Sequence, residues 1–338
     1  MKKFYAIDAF SGCGGLTIGL KQSGIQVKYA IEINTKIASV YSKNNPEVSM
    51  INNDIAKIEL SQFDYFKQLD GFKIVAGCPP CQGFSNVNTN NRKNNFSDAR
   101  NTLILDFYKI IDYVKPDFIL LENVPQLVNY KKFNIFLNKI KSSGYTYDFK
   151  ILSVNNFGVP QKRKRLVLMA HKGPEISLPL NNSLPNTTVA DYLKDLPSPE
   201  NTTDIFQKSF SHNTERIRNI ISMIPKNGGS RTDLPYKYWL ACHKKKNVSF
   251  TDVYGRMSWN KPAPTITGGC LYPSKGRFIH PEQNRGLTVR EASLLQTFPS
   301  NFIFDSTLPL TLLAQMIGNA IPPKFVKFQA DYLKSLVK

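Results

Sequence analysis

The sequence predicts an α/β protein with a mostly parallel, doubly wound sheet and a smaller, loop-rich second domain. Three observations support this prediction. Up to about residue 170, short apolar runs alternate with longer amphipathic segments, as in strand–helix–strand units. A stretch rich in proline, asparagine and serine follows residue 172, and a helical pattern returns from about Leu287. The length of 338 residues suits two domains.

Each predicted element depends on its own local pattern. Short apolar runs predict strands, and segments with apolar residues on one face predict helices. The predicted strands are Phe4–Phe10, Val27–Ile31, Lys73–Ala76, Asp117–Leu121, Tyr145–Leu152 and Leu166–Ala170. The predicted helices are Leu16–Gln22, Lys36–Lys43, Leu103–Val114, Phe133–Ser142, one in TVREASLLQTF from about Leu287, and Pro323–Leu336.

The composition indicates a polyanion as partner. The chain has 44 lysines and arginines against 25 aspartates and glutamates, which gives a formal net charge of +19. Such a surplus attracts nucleic acid, because each cation that neutralises a phosphate releases a counterion. The alternative is that abundant lysine, asparagine and isoleucine reflect an AT-rich genome and that the charge only keeps the protein soluble. Composition leaves both interpretations open.

The sequence also predicts a soluble, cytoplasmic protein. No run approaches the roughly 18 uninterrupted apolar residues of a membrane span, and Asp8 interrupts the apolar start too early for a secretory signal. Five cysteines are an odd number in so long a chain, which favours a reducing compartment over a disulfide framework.

A glycine-rich turn follows the first predicted strand and precedes a helix. Backbone N–H groups of such a turn can approach a ligand closely at the helix N-terminus. Glu32 ends the second predicted strand 20 residues beyond Gly12, where a carboxylate can accept hydrogen bonds from ribose hydroxyls. The dinucleotide fingerprint is incomplete, because Thr17 stands where its third glycine would be. The turn therefore favours a nucleoside-bearing cofactor over a purely structural role, with NAD and S-adenosylmethionine both open.

A second loop, GCPPCQGFS, follows the predicted strand Lys73–Ala76. Its two prolines restrict the backbone, so it can hold one side chain rigidly at the carboxyl end of the sheet. Cys78 and Cys81 could form a redox dithiol or supply one nucleophile. They could also form half of a zinc site that Cys242 and His243 complete. The dithiol lacks a thioredoxin-like context and the zinc site lacks a second C-x-x-C, so we favour a nucleophile and expect no metal.

Charged residues lie at two neighbouring strand ends. Glu122-Asn123-Val124 follows the strand Asp117–Leu121, and the basic run QKRKR from Gln161 enters the strand Leu166–Ala170. Nucleophilic catalysis by a cysteine needs a nearby acid and cations. Taken singly, Glu122 could be a helix N-terminal charge, and the basic run could be a solvated surface.

Taken together, these motifs resemble those of the C5-cytosine DNA methyltransferases. The resemblance spans nearly the whole chain except about residues 172–249. The sequence departs from the family pattern at Cys13 inside the glycine turn, where other residues are usual. Because the backbone of this turn makes the binding contacts, the departure puts little in doubt. In chain order the matching motifs are DAFSGCGG, Glu32, Asp54, GCPPCQGFS, ENV at Glu122, QKRKR at Gln161, RGLTVREASLLQTFP at Arg285 and GNAIPP at Gly318.

The resemblance implies a methyltransferase sheet of the S-adenosylmethionine-dependent type and a target-recognition domain, divided as 1–180 plus 299–338 and 181–298. It implies methylation of cytosine C5 in a specific duplex DNA sequence, as in bacterial restriction-modification. The family does this by flipping the base and forming a covalent bond between a cysteine, here Cys81, and C6. Glu122 would then act on cytosine N3 and Arg165 on O2, while Arg163 would organise the site.

Further site residues follow from the family motifs. S-adenosylmethionine would contact Phe10, Ser11, Gly12, Cys13, Gly14, Gly15, Glu32, Ile33, Asp54, Ile55, Pro80, Leu103, Asn319 and Ala320. DNA contacts are expected from Ser85, Arg92, Lys93 and Thr265. The polar and basic residues that could read the target are His212, Arg216, Arg218, Lys244, Lys245, Lys246, Arg256 and Lys275.

The expected partner is double-stranded DNA, with no membrane, and the protein is expected to be a monomer. A cognate restriction endonuclease would act independently of it. Two alternatives stay open. One is methylation of tRNA by the same chemistry, as in a sub-branch of the family whose Cys-Phe-Thr signature is absent here. The other is a non-catalytic DNA-binding protein, against which the intact Cys81, Glu122 and Arg165 argue.

Overall fold

The computed structural model describes residues 2–80, 102–179, 186–244 and 251–337. These residues form two compact units. The first unit comprises Met1–Phe157, Lys164–Ser183 and Ile321–Lys338, and the second comprises Gly158–Arg163 and Leu184–Ala320. Among the described residues, no helix is long and apolar enough to cross a membrane.

The first unit is built on a seven-stranded sheet with the order β3-β2-β1-β4-β5-β7-β6. All neighbours pair in parallel except β5 with β7 and β7 with β6, which are antiparallel. This confirms the predicted α/β class. The strands are β1 (Phe4–Ala9), β2 (Gln26–Ile31), β3 (Ser49–Ile51), β4 (Phe72–Gly77), β5 (Phe118–Asn123), β6 (Thr146–Ser153) and β7 (Lys164–His171).

Both units contain α-helices. In the first unit they are α1 (Gly15–Gln22), α2 (Thr35–Asn44), α3 (Asp64–Gln68), α4 (Leu103–Val114), α5 (Lys131–Ser142) and α11 (Pro323–Ser335). In the second unit they are α6 (Ala190–Leu193), α7 (Ile205–Lys208), α8 (Glu215–Met223), α9 (Val289–Leu295) and α10 (Leu310–Asn319). All six helices predicted from the sequence are present, with small shifts at their ends.

The two faces of the sheet carry different layers. Ile7 of β1 belongs to a buried apolar cluster with Phe107 of α4 and Phe136 of α5. The next residue, Asp8, points the other way and accepts a hydrogen bond from Thr17 of α1. This alternation along one strand shows a doubly wound sheet, since neighbouring side chains in a strand point to opposite faces.

The C-terminal helix α11 packs on α1 in the first unit. A Cβ atom added to Gly19 would lie 2.4 Å from Cβ of Val326 and 2.5 Å from the carbonyl oxygen of Pro323. Only glycine therefore allows the two helices to approach this closely. The chain end thus completes the layer that covers the Asp8 face of the sheet.

The second unit has no named strand among its described residues and is rich in loops, as predicted. A small apolar core forms around Ile220, Ile221 and Ile224 of the α8 region, with Leu234 and Ile279. By contacts, residues 299–320 cluster with this unit, whereas the sequence prediction assigns them to the catalytic domain. The predicted functional boundaries, 1–180 plus 299–338 and 181–298, stay a prediction.

Candidate active site

The register of the sheet aligns residues from three strands at one edge. Gly77 of β4 pairs with Leu121 of β5 in parallel, so Cys78 and Glu122 are level with each other and share one face. Glu122 in turn pairs with Val167 of β7. Arg165 lies two residues from Val167 and therefore on that same face. The sheet thus brings a thiol, a carboxylate and a guanidinium together.

Glu122 and Arg165 form an ion pair. Nε of Arg165 lies 2.7 Å from Oε1 of Glu122, and the two side chains are only 14% and 8% exposed, respectively. Nη1 of Arg165 also donates a hydrogen bond to the carbonyl of Lys164. Charges shielded from water interact more strongly than exposed ones, so this pair fixes the carboxylate at the edge of the sheet.

Cys78 lies against this pair as a protonated thiol. Burial raises the pKa of Cys78 well above its usual range, and the charges of Glu122 and Asp8 and a hydrogen bond to Glu122 raise it further. A thiol in this state is a poor nucleophile. The structure therefore favours a supporting role for Cys78 and not that of the nucleophile.

Asn123 is a site residue that the sequence analysis quoted only as part of a motif. Its side-chain nitrogen donates to the carbonyl of Pro79, and its side-chain oxygen accepts from the backbone N–H of Val124. These bonds tie the start of the proline loop to the end of β5. Cys81 comes directly after Pro80 in the chain and lies outside the described residues, as do Ser85, Arg92 and Lys93.

The glycine-rich turn has the backbone conformation that its sequence suggested. Phe10, Gly12 and Gly14 all have positive φ angles, of 65°, 54° and 103°. The N–H of Ser11 donates to the carbonyl of Ile31, and the N–H of Gly14 donates to that of Ser11. No described atom lies within 4 Å of a Cβ placed on Gly12, so the turn faces open space there.

Glu32 joins this turn to the end of β2. Its Oε2 accepts from the N–H of Gly12 at 3.1 Å, and its Oε1 accepts from the N–H of Asn34 at 2.8 Å. Burial raises the pKa of Glu32, and the backbone hydrogen bonds oppose that rise. A carboxylate has about four acceptor positions, so capacity remains for further donors.

Other predicted cofactor residues of the first unit have different environments. Ile33 beside Glu32 is 66% exposed, which leaves an apolar surface open for a flat ring. Oδ1 of Asp54 accepts from the N–H of Ala56, so it caps a short 3-10 helix at Ile55–Lys57. Cys13 is buried, and burial raises its pKa to about 12. Its thiol is therefore a packing group.

Asp8 is a buried group under this turn that the sequence analysis did not assign. Its Oδ2 accepts from the Thr17 hydroxyl at 2.7 Å, and that hydroxyl lies 2.7 Å from the hydroxyl of Tyr41. No hydrogen-bond partner for Oδ1 occurs among the described residues. Burial raises the pKa of Asp8 to about 7. The only sequence signal was an acidic residue inside the apolar strand FYAIDA.

Arg163, Thr265, Asn319 and Ala320 lie in the second unit. Nη1 of the buried Arg163 donates to the carbonyls of Ile266 and Gly318, both at 3.0 Å. The hydroxyl of Thr265 donates to the carbonyl of Lys162 at 2.6 Å. Both side chains therefore hold backbone segments within this unit. Asn319 and Ala320 lie at the C-terminal end of α10, where the Ala320 carbonyl accepts from Gln296.

Arg256 does not fit the role in DNA reading that the sequence suggested. It is fully buried, and its guanidinium donates to the carbonyls of Ile221, Ile224, His280 and Gln283 and to the side chain of Asn284. A group with its donors used in this way has none to offer a base. Arg256 was among the candidates as a cation of the predicted recognition domain, and its burial removes it from that set.

Comparison with known proteins identifies a family. The family model for C-5 cytosine-specific DNA methylases matches residues 4–335. The chain is 32% identical to the type II methylase M.HgiDII of Herpetosiphon aurantiacus, over 98% of this chain and 95% of the relative. It is 35% identical to the type II methyltransferase M1.BsuMI of Bacillus subtilis, over 94% of this chain and 77% of the relative.

Solved structures agree with these sequence relatives. A protein assigned as a DNA modification methyltransferase, encoded within a prophage of Escherichia coli, superposes with a TM-score of 0.71 at 25% identity, covering 99% of each chain. The Dnmt2 methyltransferase of Schizosaccharomyces pombe shares the fold, with a TM-score of 0.70 at 18% identity and 99% coverage of each chain. The chain therefore belongs to the C-5 cytosine-specific DNA methylase family and is a DNA (cytosine-5) methyltransferase.

Proposed function

We propose that this enzyme methylates C5 of a cytosine flipped out of a specific duplex DNA sequence, through a covalent bond between Cys81 and C6. The observation that supports this most is the Glu122–Arg165 ion pair, at 2.7 Å. The pair lies at the end of the strand to which Asn123 ties the proline loop, and Cys81 is the next residue after that loop's second proline.

The chemistry explains why these groups belong together. C5 of cytosine is a poor nucleophile. Attack of the Cys81 thiolate on C6 forms an S–C6 bond and moves an electron pair towards N3, which makes C5 reactive. Glu122 in its protonated form donates a proton or hydrogen bond to N3 and so offsets the developing negative charge. Arg165 donates to O2 of the base and also holds the Glu122 carboxylate in place.

The second half of the reaction restores the enzyme. S-adenosylmethionine, when bound, supplies an electrophilic methyl group on its sulfonium. Once C5 carries that methyl group, a water or hydroxide removes the C5 proton. The electron pair of the C5–H bond then forms the C5–C6 double bond and expels Cys81 as thiolate. N3 returns its proton to Glu122, and the products are 5-methylcytosine, S-adenosylhomocysteine and the free enzyme.

The glycine turn fits a nucleoside-bearing methyl donor. Gly12 has a positive φ and faces open space, so a ligand can approach the backbone closely. Glu32 keeps acceptor capacity for ribose hydroxyls, and the exposed Ile33 offers an apolar face to adenine. The remaining contacts we propose are those of the family motifs, from Phe10, Ser11, Cys13, Gly14, Gly15, Asp54, Ile55, Pro80, Leu103, Asn319 and Ala320.

Cations and polar groups other than the Glu122–Arg165 pair would hold the DNA. We propose phosphate or base contacts by Ser85, Arg92 and Lys93 in the segment after Cys81, and a positioning role for Thr265 through its bond to Lys162. The net charge of +19 supports attraction to duplex DNA. We further propose a monomeric cytoplasmic enzyme that protects DNA against a cognate endonuclease acting independently.

The activity can be tested by bisulfite sequencing of a plasmid from a host that expresses the enzyme. We expect 5-methylcytosine at one position of one recurring sequence. The matched control is Cys81→Ser, which should leave the plasmid unmethylated. Unmodified plasmid with wild-type enzyme, despite measurable S-adenosylmethionine binding, would contradict the proposed function.

A further inference from the structure

A polar cleft in the second unit has no role in the mechanism above. We propose that it reads base edges of the DNA, with Arg218 and Asn213 as specificity-determining residues; this rests on the proposed function. The cleft has a volume of about 620 Å³. Its walls include His212, Asn213, Arg218, Lys226, Glu282 and Gln283.

One buried residue joins the two walls of this cleft. Arg256 donates to the carbonyls of Ile221 and Ile224, at 2.8 and 3.0 Å, near the end of α8. From the other side it donates to the carbonyls of His280 and Gln283, at 3.1 and 2.7 Å. The segment that carries Arg218 and the loop that carries Gln283 are therefore held at a fixed separation.

The loop wall is rigid for a second reason. Nδ1 of His280 accepts from the backbone N–H groups of Glu282 and Gln283, at 3.1 and 3.0 Å. Arg285 forms two hydrogen bonds to the buried carboxylate of Glu291, at 2.8 and 2.6 Å. Selective recognition needs a preorganised wall, because such a wall loses little conformational entropy on binding.

The charges in the cleft indicate what it recognises. Arg218 and Lys226 are exposed, and their side chains have no ion pair or hydrogen bond among the described residues. Two carboxylates, Glu200 and Glu282, line the same cleft, and Glu282 also accepts from the indole of Trp259. Carboxylates repel phosphate, so a site for the DNA backbone alone would exclude them.

Base edges have the complementary chemistry. The major groove presents both donors and acceptors, in a pattern that differs for each base pair. Arginine pairs with guanine, asparagine with adenine, and a carboxylate with the cytosine amino group. The cleft offers residues of each kind, among them Arg218, Asn213 and Glu282. This mixture favours base readout over phosphate binding.

The helix α8 supplies a matched control. Arg216 lies two residues before Arg218 on the same helix and is also exposed, but it is not among the residues that line the cleft. Residues two apart point away from each other on a helix. Arg216→Gln and Arg218→Gln therefore each remove one positive charge, and they do so on opposite sides of α8.

The experiment selects bound duplexes from a randomised DNA pool with wild-type enzyme, Arg218→Gln, Arg216→Gln and Asn213→Ala. Binding is used because it does not depend on the methylation step. We expect Arg218→Gln and Asn213→Ala each to lose about 5- to 150-fold selectivity at one base pair. Arg216→Gln should keep the wild-type sequence preference. Thermal unfolding of each variant checks that the fold is intact.

Three results would overturn the proposal. The first is an unchanged sequence preference in Arg218→Gln and Asn213→Ala. The second is a uniform loss of affinity for all sequences in Arg218→Gln with a salt slope reduced by about one, which marks a phosphate contact. The third is a wild-type enzyme that selects no sequence. Selective binding without methylation would instead contradict the proposed chemistry and leave the cleft assignment supported.

Discussion

Nε of Arg165 lies 2.7 Å from Oε1 of Glu122, although the two residues come from different strands and are far apart in sequence. The antiparallel register of β5 and β7, in which Glu122 faces Val167, sets this distance. Neither side chain is more than 14% exposed. The carboxylate is thus held by its cation before any substrate enters.

Breaking this pair should destabilise the fold. Arg165→Met would leave Glu122 buried without its cation, and we expect a loss of about 3 kcal/mol in the free energy of unfolding, the lower end for a broken buried pair. Urea denaturation measures this change in the free energy of unfolding. The double variant Arg165→Met/Glu122→Gln should recover much of the stability without activity. A single variant as stable as wild type would show that the pair contributes little.

Removing the acid should slow methyl transfer. Glu122→Gln keeps a hydrogen-bonding group but cannot cycle a proton, so we expect a rate loss of about 10² to 10⁴. Single-turnover transfer of labelled methyl groups to duplex DNA measures the rate. S-adenosylmethionine affinity serves as the control and should stay near the wild-type value. A wild-type rate in this variant would remove Glu122 from the mechanism.

The two cysteines of the proline loop should behave differently. Cys81→Ser should lose methyl transfer by several orders of magnitude, because a serine hydroxyl is a much weaker nucleophile. Cys78→Ser should keep most activity, since serine can still donate a hydrogen bond to Glu122. The same labelled-methyl assay compares them. If Cys78→Ser were the inactive variant, a dithiol or metal role would regain support.

Asp8 should give the fold a measurable pH dependence. Burial raises its pKa from 3.8 to about 7, so the folded state favours the protonated form. Its contribution is fully present below about pH 4 and is lost as the pH rises through 7, with a size of roughly 4 kcal/mol. Asp8→Asn removes the titrating group, so the free energy of unfolding of this variant should not show that decrease with pH. Urea denaturation from pH 4 to 8 compares the two proteins, and parallel stability profiles would contradict this assignment.

Local patterns predicted the sheet well. Six of its strands were expected from short apolar runs, and α4 spans Leu103–Val114 as the apolar spacing indicated. The strand β3 was missed because Ser49–Ile51 is too short to show a pattern. The helix α8 was missed because it lies in a region whose prolines and asparagines suggested loops. The helix α10 was missed because the helical pattern that returns at Leu287 was assigned only as far as Phe298.

The roles of individual residues were harder to predict, because they depend on contacts between residues that are far apart in the sequence. The positions of the glycine turn and of Glu122 were predicted, because each comes directly after a predicted strand in the sequence. Arg256 was misassigned, since its buried position depends on carbonyls 24 to 35 residues away. The hydrogen bond from Asn123 to Pro79, 44 residues apart, likewise needed the sheet register to be known.

The central claim is covalent catalysis by Cys81 on a flipped cytosine in DNA. It is tested most directly with duplex DNA that carries 5-fluorocytosine at the target, once bisulfite mapping has located it. Fluorine at C5 cannot leave as a proton does, so the reaction should stop after methyl transfer with Cys81 still bonded to C6. We expect a denaturation-resistant protein–DNA adduct only when S-adenosylmethionine is present, and none with Cys81→Ser or with fluorinated tRNA. An adduct on tRNA alone would move the enzyme to the RNA branch, and no adduct on either substrate with the cofactor bound would contradict the mechanism.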